Sequence, residues 1–421
     1  MNRLLHFIET SGARFAAVLI NTGILFITAH ALGTAGRGTI AQVTVWSAIL
    51  SAIAGLSLGQ LLNNRLQSYR EENWRSRLLP PLLILLICGI TLAESALWLS
   101  VISGFTPIYN GDIQLLLLLT LFFPFQTWAD FAPQYFAVLR RLRFANTALV
   151  STQTAALLLI VGYLRMTPDR QPAIILMLQL CGPVAFAAAT ARVVLADARG
   201  GDRKHIWPEI KRYLHGVVRQ HPNTIGALVL AQIHNVMLSS LMGVSALAIF
   251  QLASQLVNML ALFPQSAALV LYGDMAEQSP DDAWRVHRRF ILPAMGAFGI
   301  ACCIVGLLLP TAVRILAGRD FAQAAEIGCW LLPCVWIMAL PQLMTPQWIC
   351  RGLFTINSTL TILSALLNAG LDYVLIRHYG IYGAVLGAHA IAWGCVFTAQ
   401  CTFIAILERR YHRDKRPSAG C

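Results

Sequence analysis

Gln251, Gln255, Asn258 and Gln265 stand at offsets 0, 4, 7 and 14. At ~100° per residue these four amides fall on one narrow face of a helix that is otherwise apolar. The pattern recurs with Arg14, Asn21 and Thr28, with Gln126, Asp130, Gln134 and Arg141, and with Gln232, Asn235 and Ser239. Neutral amides suit the hydroxyls of a sugar, and the guanidinium groups of Arg14 and Arg141 suit a phosphate through paired, charge-assisted hydrogen bonds. Any one of these residues alone reads equally as glue between helices, where such bonds contribute about 0.6 kcal/mol. Together, the aligned stripes predict a hydrated central cavity lined by Arg14, Asn21, Gln126, Asp130, Gln134, Arg141, Gln232, Asn235, Gln251, Gln255, Asn258 and Gln265.

Asp130 is the one carboxylate on these stripes, and Glu94 in the third apolar run has no evident partner in its own helix. His30, His234 and His389 read as neutral residues donating one hydrogen bond each. Gly33, Gly36 and Gly38 around Arg37 read as a tight turn, because the Lys-Ser or Lys-Thr of a phosphate loop does not follow. There is no G-x-S-x-G, H-E-x-x-H or Walker pattern, so no catalytic residue, metal or cofactor is expected. Of the 10 cysteines all but Cys421 lie within or beside apolar runs without a C-x-x-C spacing, which gives them the role of small hydrophobes.

The elements that must carry these stripes follow from composition. Of 421 residues 57% are hydrophobic and 12% charged, against roughly a quarter charged in a soluble protein, so a water-soluble, disordered or disulfide-stapled chain is excluded. Apolar runs near 15–32, 40–62, 79–102, 113–136, 147–164 and 172–195 make a first set of six, and runs near 225–242, 246–272, 290–310, 328–348, 356–376 and 381–407 a second. Each is long enough to cross ~30 Å of hydrocarbon as a helix. The first run is read as a span because no small-residue cleavage site follows it.

An even span number puts both termini on one side of the membrane. That side carries 25 of the 31 Lys and Arg and the other carries 6, so the positive-inside rule makes both termini cytoplasmic. The same asymmetry accounts for the net charge of +12 without nucleic acid, the basic loops facing anionic membrane lipid instead.

The expected fold class is therefore all-α, a polytopic membrane protein of about twelve transmembrane helices in two parallel-oriented six-helix halves around the central cavity. The expected boundaries are an N-terminal half over 1–196, a cytoplasmic linker over 197–221, a C-terminal half over 222–407 and a basic tail over 408–421. An offset of 210 places Gly33 on Gly243, Arg141 on Arg351 and Phe144 on Phe354, as an internal repeat would.

The run QIHNVMLSSLMGVSALAIFQLASQLVNMLALFPQSAALVLYGDMAE within 225–277 resembles the seventh and eighth helices of Wzx-type oligosaccharide flippases of the multidrug/oligosaccharidyl-lipid/polysaccharide (MOP) superfamily. ALGTAGRGTIAQV from Ala31 is similar to that family's first periplasmic turn. ILAGRDFAQAAEIGCWLLP from Ile315 and NAGLDYVLIRHYGIYGAVLGAHAIAWG from Asn368 resemble later segments, with Gly380 and Gly383 at a turn. Two departures stand out: Asn235 occupies a position where many relatives carry an acid, and Phe250 one where Tyr is usual.

The resemblance implies a bacterial cytoplasmic-membrane flippase that moves an undecaprenyl-diphosphate-linked oligosaccharide by alternating access. Its partners would be membrane lipid and the polymerase and glycosyltransferases of a surface-polysaccharide pathway. The alternatives are a cation-coupled multidrug exporter of the same superfamily, for which only Asp130 and Glu94 are available as buried carboxylates, and a membrane-embedded polymerase or ligase. Short loops on the outer side leave little room for the last.

Overall fold

A computed structural model describes residues 2–67, 74–104, 113–139, 141–168, 170–199, 206–265, 267–268, 280–351 and 353–414. Nearly all of these are helical, and none forms a strand. Eleven helical stretches among them are long and apolar enough to cross a membrane. The first of these, Phe15–Leu62, holds the first two expected spans, so the expectation of about twelve crossings agrees with the architecture. Long aliphatic side chains stand outward along these helices, Leu292 and Leu307 each being 81% exposed, as hydrocarbon solvent requires.

The chain folds as two compact units, Met1–Ala248 and Ile249–Cys421. The first comprises α1 (Asn2–Ala54), α2 (Leu58–Gln67), α3 (Trp74–Ile102), α4 (Ile113–Val138), α5 (Leu142–Met166), α6 (Pro172–Asp197), α7 (Ile206–Met242) and the start of α8 (Val244–Asn258). Helix α1 is broken at Gly33, whose φ of 65° lies in the left-handed region that only glycine enters cheaply. Gly243, which the 210-residue offset pairs with Gly33, has a φ of 88° and separates α7 from α8.

Residues 206–221, expected as linker, are instead the first part of α7. Glu209, Ile210, Tyr213 and Val217 recur on one side of it and are buried. The three apolar ones join Leu58, Leu62, Leu78, Phe131 and Phe136 in a core shared with α2, α3 and α4. A separate core nearer the Gly33 break gathers Ile40, Val43, Leu119, Phe123, Ile160 and Ile175.

The second unit continues α8 through a tight 3₁₀ turn at Met259–Ala261 and contains α9 (Pro280–Leu316), α10 (Ala322–Cys350), α11 (Phe354–Tyr379), α12 (Ile381–His389) and α13 (Thr398–Asp414). A π-helical segment, Ala390–Phe397, links α12 to α13. Gly380, with φ 59°, turns α11 into α12, and a Cβ at Gly383 would overlap the carbonyl oxygen of Leu375, so the two helices meet backbone to backbone. Trp348 stacks on Phe403 at 3.8 Å between ring centres and donates Nε1–H to Gln400. The described cysteines are all free.

Candidate functional site

In the first unit the α4 stripe is a hydrogen-bonded ladder. Gln126 Nε2 donates to Asp130 Oδ1 at 3.1 Å, and Gln134 Nε2 donates to the Asp130 carbonyl oxygen at 3.1 Å. The turn spacing of these residues is what lets each reach the next. Ser51, on the second half of α1, completes the group by donating to Asp130 Oδ2 at 2.7 Å. Ser51 is buried while Asp130 remains exposed, so the carboxylate is held from behind and open in front. No cation pairs with it among the described residues. Gln134 is fixed a second time, since a Cβ at Gly59 would overlap its Oε1.

On α7, Asn235 Nδ2 donates to Gln232 Oε1 at 2.9 Å, while Asn235 Oδ1 is buried without a hydrogen bond. Ser239 Oγ, one turn further on, is also buried and unbonded. A face of α1 lies against this helix, with Ala41 and Val45 packed on Leu247 and Val236.

The remaining expected residues are placed differently. Asn21 is exposed on α1, and the Arg14 side chain lies outside the described residues. Arg141 is exposed at the corner between α4 and α5, with its backbone N–H on the Phe136 carbonyl. In the second unit Gln251 is buried with Oε1 unbonded, whereas Gln255, Asn258 and Gln265 are exposed. A 3₁₀ turn at Met259–Ala261 stands between Asn258 and Gln265 and changes the rotation per residue there. Of the expected set, the structure thus joins Gln126, Asp130 and Gln134, and separately Gln232 and Asn235.

Several further polar groups emerge only from the packing. Leu56 and Ser57, between α1 and α2, both have positive φ, 48° and 56°, which for non-glycine residues costs on the order of 1–3 kcal/mol each. The turn is tied to α7 through Ser57 Oγ, 2.8 Å from Thr224 Oγ1 and 3.2 Å from His221 Nδ1. The fully buried Glu209 accepts from Arg212 at 2.7 Å and faces Arg77 at 3.8 Å. Tyr135 donates to Asp197 at 2.6 Å. Together these anchor the start of α7 and the end of α6 to the neighbouring helices.

The expectation that Asp130 and Glu94 are the only available carboxylates is corrected in the second unit. Asp372 and Asn368, one turn apart on α11, are both 0% exposed. They pack on Gly387 of α12, where a Cβ would overlap Asp372 Oδ1. The i, i+4 spacing is legible in the sequence within the expected span 356–376, but the enclosure of both side chains is not. Its oxygens and single charge suit a proton or a monovalent cation better than a divalent ion, which takes several carboxylates or carbonyls. No group of three or more His, Cys, Asp or Glu is placed to hold a metal among the described residues. Glu94 is half-buried on α3, and His389 Nε2 donates to the Trp330 carbonyl at 2.7 Å.

No family model matches the chain. No curated protein matches it either. Solved structures do match across nearly the whole length. An inward-facing multidrug resistance MATE family transporter of the MOP superfamily aligns over 93% of this chain and 96% of its own at 13% identity, with a TM-score of 0.71. The lipid II flippase MurJ, in an inward closed conformation, aligns over 95% and 87% at 12% identity, with a TM-score of 0.73. The MATE multidrug transporter DinF-BH, in a ligand complex, aligns over 96% and 95% at 16% identity, with a TM-score of 0.65. The chain is thus a polytopic membrane protein with the fold of MOP-superfamily transporters.

Proposed function

We propose that the protein is a flippase for an undecaprenyl-diphosphate-linked oligosaccharide, working by alternating access in the bacterial cytoplasmic membrane with both termini in the cytoplasm. One observation carries the reading: the ladder Gln126–Asp130–Gln134, backed by Ser51, offers mostly neutral donors and acceptors and one open carboxylate within a membrane span. Polar groups at that depth are costly unless they face a ligand or water. Such a surface exchanges hydrogen bonds with sugar hydroxyls without a large fixed charge to release. The lipid tail stays in the bilayer, no bond is made or broken, and the product passes to the polymerase of a surface-polysaccharide pathway. MurJ, which shares the fold, is itself named a lipid II flippase.

Asp372 supports coupling to an ion. Neutralising a wholly buried carboxylate on one side of the membrane and releasing the proton or cation on the other would drive the cycle. The same residue favours a second reading, a cation-coupled multidrug exporter; a multidrug resistance MATE family transporter shares this fold.

The test is reconstitution. In proteoliposomes carrying a lipid-linked oligosaccharide in both leaflets, the inner pool should become accessible to an external glycosidase, and Gln126→Ala with Gln134→Ala should slow this. Asp130→Asn separates the readings in cells: loss of drug efflux with intact surface glycan favours the exporter. Liposomes that expel an organic cation but never expose the glycolipid would sink the flippase.

A further inference from the structure

Arg37 stands one turn past the Gly33 break, is 6% exposed, and makes no hydrogen bond or ion pair with any described residue; its Nε and Nη1 atoms are buried. A guanidinium keeps its charge in proteins, and an uncompensated buried charge is among the costliest features a fold can carry. The position is nevertheless built with care. A Cβ at Gly36 would come within 2.8 Å of Leu32 and 3.4 Å of Pro172, and one at Gly38 would overlap the Val244 carbonyl oxygen. The backbone on either side of Arg37 is thus packed closely, at Gly36 against the start of α6 and at Gly38 against the corner where α7 meets α8.

That corner is the N-terminus of α8, whose first N–H groups have no intrahelical partner and carry the positive end of the helix dipole. The α1 backbone beside Arg37 therefore lies against a helix N-terminus, and the buried, unpaired guanidinium itself calls for a counter-anion. Arg37 also shares a face of α1 with Ser51, fourteen residues on, which is about 40° away in rotation and about 21 Å along the axis. One helix face therefore has a cation near its Gly33 end and the Ser51-held carboxylate of Asp130 near its other.

We infer that Arg37 is the cationic anchor of an oxyanion site of the phosphate class, at the end of the α1 polar face opposite Asp130. Guanidinium donors match phosphate oxygens in paired geometry, which a halide would not use. Only the identity of the molecule bearing the phosphate rests on the flippase reading; under it, this is where the diphosphate is received on the extracytoplasmic side before release.

The experiment uses the full-length protein in phosphatidylcholine nanodiscs with inorganic diphosphate as probe, read by calorimetry and by melting temperature. Wild type should bind saturably and melt higher with diphosphate. Arg37→Gln should bind about tenfold or more weaker and lose that shift, while Arg37→Lys keeps part of both. Without diphosphate, Arg37→Gln should melt no lower than wild type, since an uncompensated charge has gone. Phosphatidylglycerol nanodiscs identify the source: if they suppress diphosphate binding, a lipid headgroup fills the site, and if a short polyprenyl diphosphate out-competes the inorganic probe, a lipid-linked diphosphate does.

Absence of saturable binding to wild type overturns the site. So does equal binding by Arg37→Gln, or an Arg37→Gln protein that melts lower yet keeps the diphosphate shift. Glycolipid exposure is scored in separate liposomes, so failed transport with intact Arg37-dependent binding counts against the flippase and leaves the site standing.

Discussion

Asp130 and Asp372 are both aspartates on membrane-spanning helices, yet the two units treat them in opposite ways. Asp130 is exposed and is held from behind by Ser51 and Gln126, with its carbonyl taken by Gln134. Asp372 is fully enclosed, with Asn368 one turn away and the bare backbone of Gly387 against it. The first arrangement leaves room for a ligand to exchange hydrogen bonds at the carboxylate. The second leaves room for nothing larger than a proton or a small cation. Charge alone therefore does not mark a substrate group in this fold; what decides is whether the oxygens are reachable.

The sharpest way to break that distinction is Asp372→Asn. The change keeps shape and removes the charge, so gradient-driven transport should fall at least about tenfold. Unchanged flux in liposomes with an imposed gradient would remove Asp372 from the cycle. Gly387→Ala tests the same enclosure from the other side. Its methyl would strike Asp372 Oδ1, and overpacking of this kind costs about 1–3 kcal/mol. Asp372→Ala should give back the space, so the double variant is expected to melt above Gly387→Ala alone; simple additivity would show that the two groups do not touch.

Much of this contrast is readable in the sequence, and the failures have physical causes. The spans are apolar runs long enough to cross a bilayer, and the breaks at Gly33 and Gly243 carry the conformation that glycine permits. Gln126, Asp130 and Gln134 lie on one uninterrupted helix and bond in sequence, whereas on the stripe from Gln251 the first amide is buried, the next three are exposed, and a 3₁₀ turn stands before Gln265. The first part of α7 reads as a linker because Lys211, Arg212 and Arg219 dominate its composition. Ile210, Tyr213 and Val217, at helical spacing, hold the contrary signal. Ser51, Arg37 and Asp372 are out of reach for another reason. Pairing across helices and enclosure are properties of tertiary packing, and no spacing within one helix encodes them.

Two smaller changes sharpen the comparison on the Asp130 side. Asp130→Asn should lower glycolipid exposure by roughly three- to tenfold rather than abolish it, because the amide can still accept from Ser51 or Gln126 and the site keeps its neutral donors. A complete loss would give Asp130 the coupling role proposed for Asp372 and erase the distinction between them. Ser51→Ala is the mildest test. It deletes the 2.7 Å bond to Oδ2 while Gln126 still holds Oδ1, so about 1 kcal/mol of positioning is lost, or roughly fivefold in transport rate at low substrate. Freed on one side, the carboxylate should sample more rotamers and its loss of orientation should weaken substrate capture more than turnover. Half-saturation by lipid-linked oligosaccharide should therefore rise while the maximal rate stays near that of wild type. A fall in maximal rate at unchanged half-saturation would instead mean that the serine bond is made and broken within the cycle, and that the α1–α4 contact moves as the protein turns over.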